Sequence, residues 1–181
     1  MWKYKVYENF LSEDKFKFIR DKIVNDPKVP AANSGEIYRP WWDYDPTPEI
    51  AETFKDFDKH RDFETLHPFI HYAVTPHHFV HKVHDEATFK IMSAILYVAP
   101  EYNVGTILHD KYENPTESIE VEWEPNTLMV FCAEDNVTWH HYESFDQRFT
   151  YNYFLVDPSK IKDEEYKTYV IGEDLSTKLQ K

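Results

Sequence analysis

His84 and Glu86 stand two residues apart in VHDEATFK, just before the strong β pattern KIMSAILYV. Residues two apart on an extended chain project to one side, so an imidazole and a carboxylate converge there while Asp85 points away. Far along the chain, TWHHYE offers a second imidazole from His140 or His141. Two histidines and one carboxylate make a facial set that leaves one side of a metal open, and such nitrogen and hard oxygen donors suit Fe(II). H-x-E alone is a weak pattern. It gains weight from Arg148 in QRFTYNYFLV, the only basic residue between Lys111 and Lys160, with Thr150 on the same strand face. A guanidinium fork beside a hydroxyl is a receptor for a carboxylate. An isolated cation in an apolar, aromatic strand also calls for a buried anionic partner. The chain has ten histidines, six of them between His67 and His84; most are expected to be structural.

These side chains need a scaffold, and the composition bounds it. The chain has 181 residues, 20 basic and 33 acidic, for a formal charge of −13, with 41% hydrophobic and 17% aromatic residues. That length fits a single domain, 1–181, with a substantial core. The acidic balance, without a Lys/Arg cluster, disfavours nucleic acid and anionic membrane surfaces as partners. No apolar run reaches the length of a transmembrane helix. The lone cysteine, Cys132, excludes an intrachain disulfide. With no signal-like apolar region in MWKYKVYENF, a reducing, cytoplasmic setting is expected. Cys132 lies in the apolar run LMVFCA and is expected to be buried and inert.

Lys3–Tyr7 is expected to form a short strand. Ser12 can cap a helix through EDKFKFIRDKIV, with Phe16, Ile19 and Ile23 at helical spacing and Pro27 and Pro30 ending it. After the loop IYRPWWDYDPTP, Thr47 opens a second helix through EIAETFKDFDKH, with Pro48 in its tolerant first turn and His60 on its solvated face. From about residue 76 the texture turns to strands: HFVHKVH, KIMSAILYV, VGTILH, SIEVEW, TLMVFCA and RFTYNYFLV, divided by turn chemistry. The expected organisation is helical support and loop over 1–75, a β core over 76–157 and a peripheral tail over 158–181. Short strands preceded by helices predict an antiparallel sandwich or barrel with helices on one side. Gly35, Gly105 and Gly172 are the only glycines, so no phosphate-binding glycine loop exists.

The ordered series H84-D-E86, ILYVAP, VGTIL, WEPNTLMVF, TWHHYE and R148-F-T resembles the catalytic core of the Fe(II)/2-oxoglutarate-dependent dioxygenases. Within that superfamily it is most similar to the prolyl 4-hydroxylase-like group, especially the small phage-type members. The resemblance implies a mainly β (α+β) fold, a double-stranded β-helix or jelly roll like that of cupins, with N-terminal helices against the larger sheet. It implies His84, Glu86 and His140 as the catalytic iron ligands, with Fe(II), 2-oxoglutarate and O₂ as cofactor and cosubstrates. Arg148 would bind the distal carboxylate of 2-oxoglutarate, helped by Thr150 and by Tyr97, on a strand where Ile91, Ser93, Ile95 and Tyr97 alternate onto one face. His81 takes the place of a tyrosine the group often carries three residues before the first ligand, and is assigned to the cosubstrate site. Glu86 replaces the usual aspartate, and Asn126 a turn glycine. His140 is preferred over His141 because its spacing to Arg148 is already short for the group.

The activity implied is hydroxylation of an unidentified protein or small-molecule substrate, with peptidyl proline the group's best-known target, coupled to decarboxylation of 2-oxoglutarate to succinate. Trp139 or Tyr153 would wall the site, and Trp41, Trp42 and Tyr44 a lid. Two rival readings stand beside it. One is a non-catalytic, aromatic-rich β-sandwich binding module using Trp41, Trp42 and Trp123 as stacking platforms; it leaves the His84/Glu86/His140/Arg148 series unexplained. The other is a cupin-like metalloprotein without 2-oxoglutarate chemistry, which has no need of Arg148 or Tyr97.

Overall fold

The computed structural model describes residues 1–25 and 47–163. Pro27, Pro30, the Trp41–Trp42–Tyr44 segment and the tail from residue 164 lie outside the described residues. Among the described residues there are two α-helices, α1 (Glu13–Asn25) and α2 (Thr47–Phe57). The strands are β1 (Tyr4–Tyr7), β2 (His67–Thr75), β3 (Phe79–His84), β4 (Lys90–Ala99), β5 (Thr106–His109), β6 (Ser118–Val121), β7 (Leu128–Cys132), β8 (His140–Ser144) and β9 (Arg148–Val156). Among the described residues, no helix is long and apolar enough to cross a membrane.

The strands form two antiparallel sheets, a larger one in the order β1-β7-β4-β9-β2 and a smaller one in the order β3-β8-β5-β6. This is the double-stranded β-helix that the sequence implied. One face of the larger sheet is covered by the helices. Ile19 and Ile23 of α1, with Ile50, Phe54 and Phe57 of α2, pack against Tyr72, Met92, Leu96, Val130 and Tyr151. The helix starts follow the sequence logic: the Ser12 carbonyl accepts from Phe16 N–H at 2.9 Å, and acidic Glu13 and Asp14 occupy the first turn of α1. α2 stops at Phe57, so exposed His60 lies beyond the helix rather than on its face.

Two features depart from the expected organisation. Residues 67–75 are a strand paired with β9 along its whole length, so the β core begins before residue 76. HPFIHYAVT hides this by placing histidines where an apolar alternation is sought; they face the space between the sheets. Pro68 is tolerated because β2 is an edge strand. At the other end, Ile161 is buried with Phe69, Phe154 and Val156, so the packed unit reaches past Asp157.

Loop chemistry sets how closely the sheets approach. Asn126 adopts φ 70°, the left-handed region, where the family-like turn would use glycine. Its side chain also clamps Leu11, accepting from Leu11 N–H at 2.9 Å and donating to the Leu11 carbonyl at 2.8 Å. A Cβ on Gly105 would lie 1.8 Å from the Val121 carbonyl oxygen, so only glycine fits at this crossing of β5 and β6.

Candidate active site

Register brings the candidate residues together between the sheets. On the inner face of the larger sheet, successive rows across β2, β9 and β4 are Ala73–Thr150–Tyr97, His71–Asn152–Ile95 and Phe69–Phe154–Ser93. Facing them, β3, β8 and β5 supply His81–Tyr142–Thr106, while His84–His140–Leu108 form the next row. His81 and His84, three apart, both reach this space because the β3–β8 register shifts between them. The result is a cavity of about 310 Å³ lined by His81, His84, Glu86, His140, Arg148 and Thr150, together with Lys90, Thr106, Tyr142 and Asn152.

The two imidazoles nominated as ligands are neighbours, with ring centres 4.4 Å apart. His140 Nδ1 lies 2.7 Å from the Thr138 carbonyl and His84 Nδ1 2.8 Å from the Lys82 carbonyl. That arrangement puts the proton on Nδ1 and leaves each Nε2 lone pair available, as a metal-binding histidine requires. Burial and the neighbouring His140 lower the His84 pKa to about 4, and burial lowers that of His140 as well, so both rings favour the neutral form. His81 Nδ1 stands 3.0 Å from His84 Nδ1.

Glu86 is buried at the same cavity, with Oε1 accepting from Ser93 Oγ at 2.8 Å and Oε2 from the Lys90 ammonium. Burial works against its charge, but Lys90, His140 and Ser93 outweigh it and take its pKa down to about 2. As they stand, no three His, Cys, Asp or Glu side chains are grouped closely enough to hold a metal ion among the described residues. Both Glu86 oxygens are engaged by Lys90 and Ser93. In donor chemistry the set still fits a ferrous ion: two neutral imidazoles with free Nε2 atoms and an ionised carboxylate border one cavity. Asp85 points away, accepting from Asn136 N–H at 2.8 Å.

Arg148 is 2% exposed, with Nη2 donating to Thr106 Oγ1 at 3.2 Å. Its Nε and Nη1 are buried without a hydrogen-bond partner, and no carboxylate pairs with it among the described residues. Aromatic rings surround it: the guanidinium carbon lies 4.1 Å from the Tyr142 ring centre, 4.9 Å from Trp123 and 5.4 Å from Tyr97. Buried unpaired N–H groups on a cation are costly, and they mark a place where no described residue supplies an anion.

Other expectations need correction. Tyr97 faces the interior, but Thr106 takes its phenol: the hydroxyl donates to Thr106 Oγ1 at 2.8 Å and accepts from Thr106 N–H at 3.1 Å, and Tyr97 does not line the cavity. Tyr142, which carried no pattern of its own, covers Arg148 instead. Tyr153 packs against Phe54 and Trp139 against Tyr112, so neither is a cavity wall. Ile91 leaves the predicted face because the β4–β9 register shifts between Lys90 and Met92. His141 points away from the cavity and bonds His109, Nδ1 to Nε2 at 2.7 Å. Trp123 is 9% exposed and stacked on Tyr97, which removes it as a surface stacking platform. Cys132 is half-buried with its pKa raised by burial, as an unreactive thiol should be. Thr106 and Asn152 were also missed, since a lone polar residue in a strand gives no signal until its neighbours are known.

No protein-family model matches the sequence, and no curated protein matches it. Solved structures do match in three dimensions. A Pseudomonas putida prolyl-4-hydroxylase superposes with TM-score 0.63 at 13% identity, over 84% of this chain and 91% of that one. A Trichoplax adhaerens prolyl hydroxylase, solved with a hypoxia-inducible-factor oxygen-degradation-domain peptide, gives 0.63 at 11% identity, covering 86% and 84%. A viral collagen prolyl hydroxylase from Paramecium bursaria Chlorella virus-1, in complex with 2-oxoglutarate, gives 0.61 at 11%, covering 84% and 94%. At these identities the likeness establishes the fold.

Proposed function

We propose that the chain is an Fe(II)- and 2-oxoglutarate-dependent dioxygenase that hydroxylates a substrate carbon. One observation carries the reading: the buried guanidinium of Arg148 has N–H groups unpaired among the described residues and shares a cavity with His84 and His140, whose Nδ1 atoms face backbone carbonyls. His84, Glu86 and His140 would hold the metal. Bound there, ferrous iron and 2-oxoglutarate supply the oxidising chemistry, in which O₂ and 2-oxoglutarate give CO₂, succinate and one hydroxyl on the substrate.

The chain's own side chains bind and orient. Arg148 takes the distal carboxylate of the cosubstrate through Nε and Nη1, with the Thr150 hydroxyl on the same strand face. Tyr142 and Trp123 exclude water from that charge pair, which strengthens it. The Thr138 and Lys82 carbonyls hold the Nδ1 protons and fix the ring planes. Lys90 and Ser93 keep Glu86 ionised and ready to ligate.

A metalloprotein without 2-oxoglutarate chemistry would keep the imidazoles but leave Arg148 unexplained. Anaerobic titration with Fe(II) and then 2-oxoglutarate decides between them. A visible charge-transfer band that needs both additions, followed by succinate on admitting air, is the expected outcome. Iron binding without the band would refute the reading.

A further inference from the structure

Lys90 is not itself among the groups that would ligate iron or hold 2-oxoglutarate, yet its ammonium, which bonds Glu86, lies in the cavity. The register shift between Lys90 and Met92 puts it there, on the inner face of β4. Its Nζ sits 3.7 Å from the centre of the Phe154 ring and bonds Glu86, and its side chain is 17% exposed. The charged residues lining the cavity are Glu86, Lys90 and Arg148. With the cofactors of the proposed reaction in place, Arg148 is matched by the distal carboxylate of 2-oxoglutarate. The two charges of a ferrous ion are matched by Glu86 and the second carboxylate. Neutral imidazoles add nothing. One positive charge, that of Lys90, is left over in a largely enclosed space, where an uncompensated charge is expensive.

A second unanswered group lies nearby on the β9 face. Asn152 Nδ2 donates to His71 Nε2 at 3.2 Å, while its Oδ1 is buried with no hydrogen-bond partner among the described residues. Asn152 and Phe154 are two apart on one strand face, and Lys90 rests on Phe154. The cavity, at about 310 Å³, is at the small end for ligand sites.

Resting on the dioxygenase reading, we propose that the molecule hydroxylated is a small organic acid. Its carboxylate pairs with Lys90 and an N–H or O–H donates to Asn152 Oδ1, as an N-acyl amino acid or a hydroxy acid would allow. A neutral stretch of polypeptide leaves both groups unanswered.

The test uses full-length protein loaded with redox-silent Mn(II) and saturating 2-oxoglutarate, with binding measured by calorimetry. The probes are N-acetylglycine and butyrate, each beside its own amide. Each acid should bind at least about tenfold more tightly than its amide. Lys90→Met should abolish that preference and Lys90→Arg should keep it; Asn152→Leu should weaken N-acetylglycine more than butyrate. Acids and amides binding alike, neither binding, or a preference that survives Lys90→Met would each overturn the proposal. Failure of 2-oxoglutarate itself to bind, read beforehand from tryptophan fluorescence, would instead sink the dioxygenase reading on which it rests.

Discussion

Replacing Arg148 by methionine separates a ligand-binding cation from a structural one. Methionine approximates the length of the side chain and keeps an adaptable apolar group among Tyr142, Trp123 and Tyr97. Two opposing effects act on stability. Removing the unpaired donors on two buried nitrogens relieves about 1–3 kcal/mol for each nitrogen. Losing the contacts to the Tyr142 and Trp123 rings, at 4.1 and 4.9 Å from the guanidinium carbon, costs about 1–2 kcal/mol each. The single bond to Thr106 adds about 1 kcal/mol to the loss. These contributions nearly cancel, so Arg148→Met should stay within about 2 kcal/mol of the parent. For a chain of this size that is a melting shift of no more than about 4–8 °C.

Cosubstrate binding should respond very differently. Deleting the cationic partner of a desolvated carboxylate costs about 2–5 kcal/mol, or about 30- to 4,000-fold in 2-oxoglutarate affinity. Trp123, beside the guanidinium, provides an intrinsic fluorescence readout for the titration, and thermal melting of the same samples gives the stability arm. A variant that loses more than about 3 kcal/mol of stability while its 2-oxoglutarate affinity is unmoved would show Arg148 to be a structural residue. The carboxylate assignment would fall with it.

Other outcomes follow from the scaffold and the imidazoles. Gly105→Ala forces a Cβ to 1.8 Å from a backbone carbonyl, and urea unfolding should show a loss of about 3 kcal/mol or more. Asn126→Gly keeps the left-handed turn but drops both bonds to Leu11, costing about 1–2 kcal/mol, and Asn126→Ala should cost about 1 kcal/mol more. Equal losses for those two variants would mean that φ 70° carries no strain. In chelator-treated protein, His84 binds a proton near pH 4 when folded and near 6.5 when unfolded, so the unfolded state holds more protons between those values. Stability should therefore fall by up to about 3 kcal/mol as pH drops through that window. His84→Phe should flatten the slope there, while the Glu86 contribution is lost only below about pH 4.5. A slope equally steep in both proteins would contradict the buried neutral imidazole.

Much of this architecture was legible in the residues because the relevant signals are local. β9 is predicted to the residue, since RFTYNYFLV has strong β propensity and clear flanking turns. Arg148 stood out because it is a lone cation in an apolar strand, and His140 was preferred over His141 because, against the family it resembles, its spacing to Arg148 is already short. What escaped depends on pairing between distant segments. Tyr97 was placed on the correct face, but its hydroxyl is taken by Thr106 from another sheet, a competition no spacing rule contains. β2 was missed because histidines interrupt its apolar pattern, and the polarity of His71 reflects a cavity rather than solvent. Lys90 was hidden by a register shift, since a regular strand would send it the other way.

These misses share a physical origin, and it is the same one that makes the site chemically capable. A packed interior of this kind satisfies its polar groups internally, and most of this chain does so through the Asn126 clamp, the Tyr97–Thr106 bonds and the paired strands. Among the described residues the exceptions are few, and several of them meet at one cavity, while Tyr7 Oη and Thr127 Oγ1 lie away from it. Arg148 Nε and Nη1 and Asn152 Oδ1 are buried without partners among the described residues, both residues line one cavity, and His84 and His140, whose pKa values burial lowers, border it too. Sequence patterns report the average tendency to bury apolar atoms and pair polar ones, so they fail where a fold departs from that tendency. A scaffold held elsewhere by helix packing on the larger sheet can keep such a strained set of groups in place. The location of the unanswered polar atoms is then the most direct physical pointer to where a second molecule completes the structure.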